Sequence, residues 1–176
     1  MDAFPAVETA NLVLRPVESA DLAQLVELRS DPRVARYLPN PHPPAADDVA
    51  RALEAELELV SSGADAVLWA VQHKGSRRLI GHVAIWPRGE GSTRGELIVS
   101  VMPRHWGRGV ATEACARAIE RWLGLHPGSI VYGAVHPDNT ACHTLMRKIG
   151  LDREAASADF PGIHEPTERV FYSSTR

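Results

Sequence analysis

The chain has 176 residues, of which 44% are hydrophobic and 23% charged, and its formal net charge is -3. A chain of this length buries enough surface to fold as one domain, expected over residues 1–176, without disulfide or metal staples. Its slight acidity argues against a general nucleic-acid or anionic-membrane binder. The two cysteines, Cys115 and Cys142, form no CxxC pair and no disulfide framework, which favours a reducing, cytoplasmic setting. No stretch approaches the ~20 apolar residues of a membrane span. The opening MDAFPAVETA carries Asp2 and Glu8 and no basic start, so it does not read as a secretory leader.

In chain order, LVLRPV (12–17) reads as a strand, and Leu22, Leu25 and Val26 recur at helical spacing behind Ser19 or Asp21 as caps. The segment LPNPHPPAADD (38–48) holds four prolines and is expected to be irregular. Asp47 or Asp48 then caps a helix with an apolar stripe of Val49, Leu53, Leu57 and Val60, stopped by Gly63. Three apolar runs, AVLWAV (66–71), LIGHVAIW (79–86) and ELIVSV (96–101), are separated by turns at Gly75 and Gly91 and predict an antiparallel meander. A helix follows over 110–124, with Ala114, Cys115, Ala118, Ile119 and Trp122 on its inner face, then a strand, SIVYGAV (129–135). A second helix covers 140–149, capped by Asn139 and stopped by Gly150, and two more strands flank the polar stretch SADFPGIHEPTE (157–168). The order predicts an α/β (α+β) fold: a twisted mixed sheet of six or seven strands with about four helices.

The stretch most suited to chemistry is VMPRHWGRGVATEACARAIERWL (101–123), which runs from a strand through a glycine turn into a helix. Gly107 and Gly109 flank Arg108 and let the backbone approach a ligand. The first N–H groups of the helix, at Val110, Ala111 and Thr112, lack helical acceptors and sit at the positive end of the dipole. Together they form an anion cradle suited to a pyrophosphate, with Arg104 and Arg108 adding charge. The chain has no GxxxxGK[ST] P-loop, and Thr112 breaks a GxGxxG dinucleotide fingerprint.

RHWGRGVATEA closely resembles the acetyl-coenzyme A signature [Q/R]-x-x-G-x-[G/A] of the GNAT superfamily of N-acetyltransferases, with Arg104, Gly107 and Gly109 at its specified positions. The fuller P-x-x-W-G-x-G-x-A-T-E-A is similar to the subgroup that acetylates protein N-termini, including those of ribosomal proteins. NLVLRPVESADL and NTACHTLMRKIGL resemble two further landmarks of that subgroup, so the likeness spans about residues 10–175. It implies a GNAT-like domain in which ELIVSVMP (96–103) splays from SIVYGAV and holds pantetheine in the gap. Val99, Val101 and Met102 are then the expected backbone contacts. Glu96 matches a glutamate used as general base, and its other reading is a strand-start residue paired with an arginine. Asn139 and Cys142 match the family's asparagine and serine. Cys142, in place of that serine, is open to three readings: proton donor to the departing thiolate, passive lining, or covalent nucleophile.

The resemblance therefore implies acetyl-coenzyme A as co-substrate and a primary amine as acceptor, by preference a protein or peptide N-terminal α-amine. A small-molecule amine of polyamine or antibiotic type and a non-catalytic acyl-coenzyme A-binding module stay open beside it. Acceptor selection falls to loops 37–48, 86–94 and 157–168, where Asp47, Asp48, Asp159, Glu165 and Glu168 would suit a cationic acceptor. Trp86, Tyr37 and Trp69 read either as acceptor-pocket aromatics or as core. His136 reads as an aid to the amine or as a solvated loop residue. The eight histidines make no HxxxH pair, so no metal is expected. The expected state is a monomer or homodimer.

Overall fold

Residues 5–37, 45–88, 93–154 and 169–174 are described by a computed structural model. Their strands are β1 (Val7–Glu8), β2 (Leu12–Pro16), β3 (Val67–His73), β4 (Leu79–Arg88), β5 (Arg94–Val101), β6 (Ile130–Val135), β7 (Leu151–Arg153) and β8 (Val170–Ser174). The α-helices are α1 (Leu22–Ser30), α2 (Pro32–Ala35), α3 (Ala46–Ser61), α4 (Val110–Leu125) and α5 (Thr140–Lys148). All eight strands join one mixed sheet in the order β1-β2-β3-β4-β5-β6-β8-β7. The ladders are antiparallel except β5–β6, which is parallel.

The central strands are apolar almost throughout because both faces are covered. On one face, Trp69, Val83, Ile85, Leu97 and Val101 pack against the inner stripe of α4, where Ala114, Cys115, Ala118 and Trp122 are fully buried. On the other, Leu68, Ala84, Trp86 and Met102 pack against Leu25 and Leu28 of α1 and Val49 and Leu53 of α3. A register shift between β3 and β4 at Val71/Gln72 reverses the alternation along β4, so Ile80 joins Val83 and Ile85 in the α4 core and Leu79 joins Ala84 in the α1–α3 core.

The expected meander, both signature helices and the two tail strands are present. The sheet has one strand more than expected, the two-residue β1, too short for a periodic signal. The extra helix, α2, is a single turn started by Pro32 and capped by Asp31, whose side chain accepts from the Arg33 N–H. Two caps are corrected. Asp47 and Asp48 lie inside the first turn of α3 behind Ala45, where they favour the dipole instead of capping it. Asp21 makes no side-chain cap to α1; it accepts from the Glu18 N–H and from Arg15. The proline-rich segment and the turn at Gly91 fall on residues outside the described ones. No helix among the described residues is long and apolar enough to cross a membrane.

Candidate active site

A 3-10 turn at Pro103–His105 leads from β5 to the two glycines. Gly107 and Gly109 take φ of 72° and 79°, a left-handed backbone that a β-carbon strains. A β-carbon at either would meet nothing within 4 Å, so glycine is required by conformation, and the space above it is open. Gly109 is the N-cap of α4, and its carbonyl accepts the Glu113 N–H at 2.9 Å. The N–H groups of Val110, Ala111 and Thr112 come before that first helical bond and face outward. The Glu113 carboxylate accepts the Asn11 backbone N–H at 2.8 Å and its side-chain amide at 3.1 Å, tying the start of α4 to the entry of β2. Burial works against its charge, but the hydrogen bonds from Thr9 and Asn11, with Lys74 nearby, hold the carboxyl below its ordinary range.

Beside the cradle, the β5 backbone offers a row of groups with no strand to receive them. Met102 N–H donates to Ile80 C=O at 2.8 Å, and Pro87, which has no N–H, stands opposite Gly95. Alternation along an antiparallel pair then turns the Ser100 and Ile98 amides toward β4, and those of Val101, Val99 and Leu97 toward β6. The β5–β6 ladder holds only at Arg94–Ile130, Gly95–Val131 and Glu96–Tyr132. Beyond Glu96 the strands part, and the amides of Leu97, Val99 and Val101 border the slot. The Val101 carbonyl is taken by the Trp106 indole at 2.6 Å, while the Val101 N–H faces the slot where β6 has parted from β5. Met102 is a correction: its N–H is committed to Ile80 and its C=O to His105 N–H, so it offers the slot no backbone group.

Arg104 does not lean over the cradle alone. Its Nε donates to His105 Nε2 at 3.2 Å. Burial, then the Arg104 and Arg108 charges, hold the His105 imidazole below its ordinary pKa, in keeping with a nitrogen that accepts.

Glu96 stands at the vertex of the slot, the last residue paired to β6. Both Nε (2.7 Å) and Nη2 (2.6 Å) of Arg88 reach the same oxygen, Oε2, so Oε1 is open among the described residues. Across the ladder, burial first and the Glu96 charge second push the Tyr132 phenol up to about 12, so it stays protonated. On the β6 arm, Asn139 caps α5 by accepting the Cys142 N–H at 3.1 Å. Cys142 packs against the α4 core, and burial pushes its thiol up to about 11. His143 is engaged elsewhere: its Nε2 faces Pro137 C=O at 2.9 Å and its Nδ1 the Tyr172 hydroxyl at 3.0 Å. A ring nitrogen facing a carbonyl must carry the proton, so Nδ1 accepts from Tyr172.

At the end of β6, His136 meets the Tyr37 ring with centroids 5.3 Å apart, and Arg169 donates to the Tyr37 C=O at 3.0 Å. On the α1 side of β4, His82 is fully buried opposite Ser100. Its Nε2 accepts Arg29 Nε at 2.9 Å, while Arg29 clasps Glu56 through two bonds of 2.7 and 2.8 Å. Burial first and the Arg29 charge second keep this imidazole neutral, well below its usual pKa.

A family model described as the acetyltransferase (GNAT) domain matches residues 11–152. The chain belongs to the GNAT acetyltransferases. It is an N-acetyltransferase that takes its acetyl group from acetyl-coenzyme A, and the open amide row and anion cradle fit that donor. The chain is similar to the uncharacterized N-acetyltransferase YoaA of Bacillus subtilis, 22% identical over 151 residues, which cover 86% of this chain and 85% of that one. Among solved structures it is similar to the ribosomal-protein-S5-alanine acetyltransferase of Vibrio fischeri, at 16% identity and TM-score 0.73, covering 97% of this chain and 96% of that one. It is also similar to the spermidine N-acetyltransferase of Vibrio cholerae in complex with coenzyme A and spermine, at 19% identity and TM-score 0.74, covering 94% and 95%. At such identities these two likenesses carry the fold alone.

Within this GNAT domain the structure gathers Val99, Val101, Gly107, Arg108, Gly109, Val110, Ala111 and Thr112 along one edge, with Asn139 and Cys142 on the facing arm and Glu96 between. Trp69 is core, and Trp86 is core on the α1–α3 side; Tyr37 alone of the three aromatics meets an element across the slot. Asp48 pairs with Arg51, while Asp159, Glu165, Glu168 and most of the three loops lie outside the described residues. Arg88, Trp106 and Arg169 were missed. A tryptophan inside the signature, left half-exposed, was the one signal available for Trp106.

Proposed function

We propose that the acceptor of this N-acetyltransferase is an α-amine at a protein or peptide N-terminus, acetylated by direct attack. The observation that carries this reading is at the vertex of the slot, where, among the described residues, Arg88 pairs with Glu96 and offsets its charge. A polyamine keeps its charges on amines near ~10.4 and calls for an acidic cleft, which this pairing opposes. An α-amine titrates near ~7.7–8.0 and is partly neutral without help, so one mild base suffices.

In this reading acetyl-coenzyme A supplies a thioester-bound acetyl group. The N–H groups of Val110, Ala111 and Thr112, with Arg108 beside them, bind the pyrophosphate. The Val99 N–H bonds the pantetheine arm, and the Val101 N–H, facing the slot where β6 has parted, polarises the thioester carbonyl. The open Oε1 of Glu96 takes the amine proton while Arg88 holds the other oxygen in place. Cys142 lines the pocket. A thiol raised to about 11 donates uphill to a thiolate whose own acid lies near ~8.5, and it is too little ionised to act as a nucleophile.

The test is release of free coenzyme A thiol with a peptide panel, the same peptides blocked at the α-amine, and spermidine. Turnover confined to free α-amines supports the reading. Faster turnover of spermidine overturns it, and cofactor binding without turnover of any amine supports a binding module instead.

A further inference from the structure

Glu96 and the end of β6 share the sheet face that looks away from α4. Leu97 of β5 belongs to the α4 core, and so does Val135 of β6 with its partner Val170 of β8. Alternation turns Glu96, and the next residues outward, His136 and Arg169, to the opposite face. Tyr37, just past α2, closes on both of these. Its ring meets His136 with centroids 5.3 Å apart, and its carbonyl accepts from Arg169 Nη1 at 3.0 Å. The first turn of α4, where the cofactor cradle lies, is on the other side of the sheet.

The mouth so formed is cationic and rich in donors. Arg36 is exposed, with its guanidinium carbon 5.3 Å from the centroid of the Tyr37 ring. Arg169 is half-buried, and its Nη2 is buried with no hydrogen-bond partner among the described residues. A guanidinium can only donate, so a buried nitrogen of this kind is costly until an acceptor reaches the group. His136 takes the Asp138 N–H on Nδ1 at 3.2 Å, so the proton of its neutral ring sits on Nε2, ready to donate. Among the described residues neither arginine is ion-paired. One carboxylate stands by, that of Asp138, 4.0 Å from His136 Nδ1 and mostly exposed.

The spacing suits a peptide. Tyr132 pairs with Glu96, and His136 lies four residues further along β6 (136 - 132), about 13 Å at ~3.3 Å per residue. An extended chain whose α-amine lies at Glu96 crosses that distance in about four residues.

We propose that Arg169, with Arg36 beside it, selects the acceptor by pairing with an acidic side chain within about the first four residues of the peptide. The inference rests on the peptide α-amine reading above and adds a sequence preference to it. A carboxylate fits the guanidinium fork through paired hydrogen bonds and completes a group that the fold leaves short of acceptors.

The experiment is steady-state acetylation of peptides with a free α-amine that carry glutamate, glutamine or lysine at the second to fourth positions. The parent protein, Arg169→Gln and Arg36→Gln are compared. In the parent, glutamate peptides should exceed glutamine peptides about tenfold in kcat/KM, chiefly through KM, as expected of one charge-assisted contact. Lysine peptides should be the poorest. Arg169→Gln should erase most of that preference, a coupling of about tenfold between the protein and peptide substitutions. A merely structural loss lowers all peptides alike and gives no coupling. Arg36→Gln, at an exposed position where folding is not at stake, should erase a smaller part. Equal rates on glutamate and glutamine peptides, or a preference that survives both variants, would overturn the proposal and leave the α-amine reading standing. If no peptide is acetylated at its α-amine, both fall together.

Discussion

On the cofactor side of the slot, the groups offered to a ligand are backbone N–H groups between Val99 and Thr112, held by one strand end and one helix start. On the acceptor side they are side chains drawn from distant parts of the chain: Arg88 to Glu96, Tyr37 to His136, and Arg169 to Tyr37 across 132 residues. Backbone groups survive most substitutions, and the glycines that expose them are the residues the conformation demands. Side chains can be exchanged without disturbing the sheet. Under the proposed function, the comparison teaches where the chemistry is fixed and where specificity is free to change: the donor is held by the backbone of the fold, the acceptor by side chains.

The largest effect expected from breaking this division is at the vertex. Glu96→Gln should lower kcat by ~10²-fold or more, the range for loss of a general base, and leave coenzyme A affinity nearly unchanged. Arg88→Met should lower kcat far less. Steady-state kinetics in which the two variants fall equally, with equal losses of Tm, would make the pair structural.

The cradle comes next. Gly109→Val should weaken coenzyme A by at least ~2 kcal/mol, roughly thirty-fold, because the left-handed N-cap no longer holds its geometry. Gly63→Val, at a helix end with φ 96° and away from the slot, is the control. It should lose stability in melting experiments and keep its calorimetric affinity.

Acid separates the two sides further. His82 is neutral and fully buried in the fold, with a pKa well below the 6.5 of a free imidazole. As pH falls below 6.5 the unfolded chain takes up a proton that the folded chain refuses, so stability should fall by up to about 1.4 kcal/mol per pH unit. The Glu113 clamp is shifted in the same direction, but there the fold favours the charged form. Its contribution is full above the ordinary 4.5 and fades only as pH drops through the lower folded value. Denaturant melts between pH 7 and 5 should therefore show a slope that His82→Gln removes.

The smallest effect belongs to the mouth. Tyr37→Ala should raise the acceptor KM several-fold, about the 0.5–1.5 kcal/mol of an aromatic contact, with coenzyme A affinity unchanged. Equal changes in both constants would erase the division between the sides.

The sequence made the cofactor side legible because it is local. Glycine spacing, the apolar stripe of α4 and the Asn139 cap are all short-range patterns, and each holds in the structure. Met102 misled because a residue's position in a strand does not say which way its amide turns; that depends on the β4 register and on where Pro87 falls. Glu96 was visible as a carboxylate, but its partner Arg88 lies on the other strand of a hairpin and carries no motif. Tyr37 and His136 were legible only one at a time, and Arg169 not at all, since nothing in their spacing announces that α2, β6 and β8 converge. The two-residue β1 and the single turn α2 are too short for periodicity to register.

Amide hydrogen exchange, read residue by residue with and without coenzyme A, tests the central claim most directly. In the free protein Met102 should already be protected by its bond to Ile80, while Val99 and Val101, facing the slot, exchange readily. Coenzyme A should slow Val99, Val101 and the N–H groups of Val110 to Thr112 and leave Met102 unchanged. Protection of Val99 and Val101 before any ligand is added, or no change there on saturation, would contradict the assignment of the open β5 edge to the cofactor.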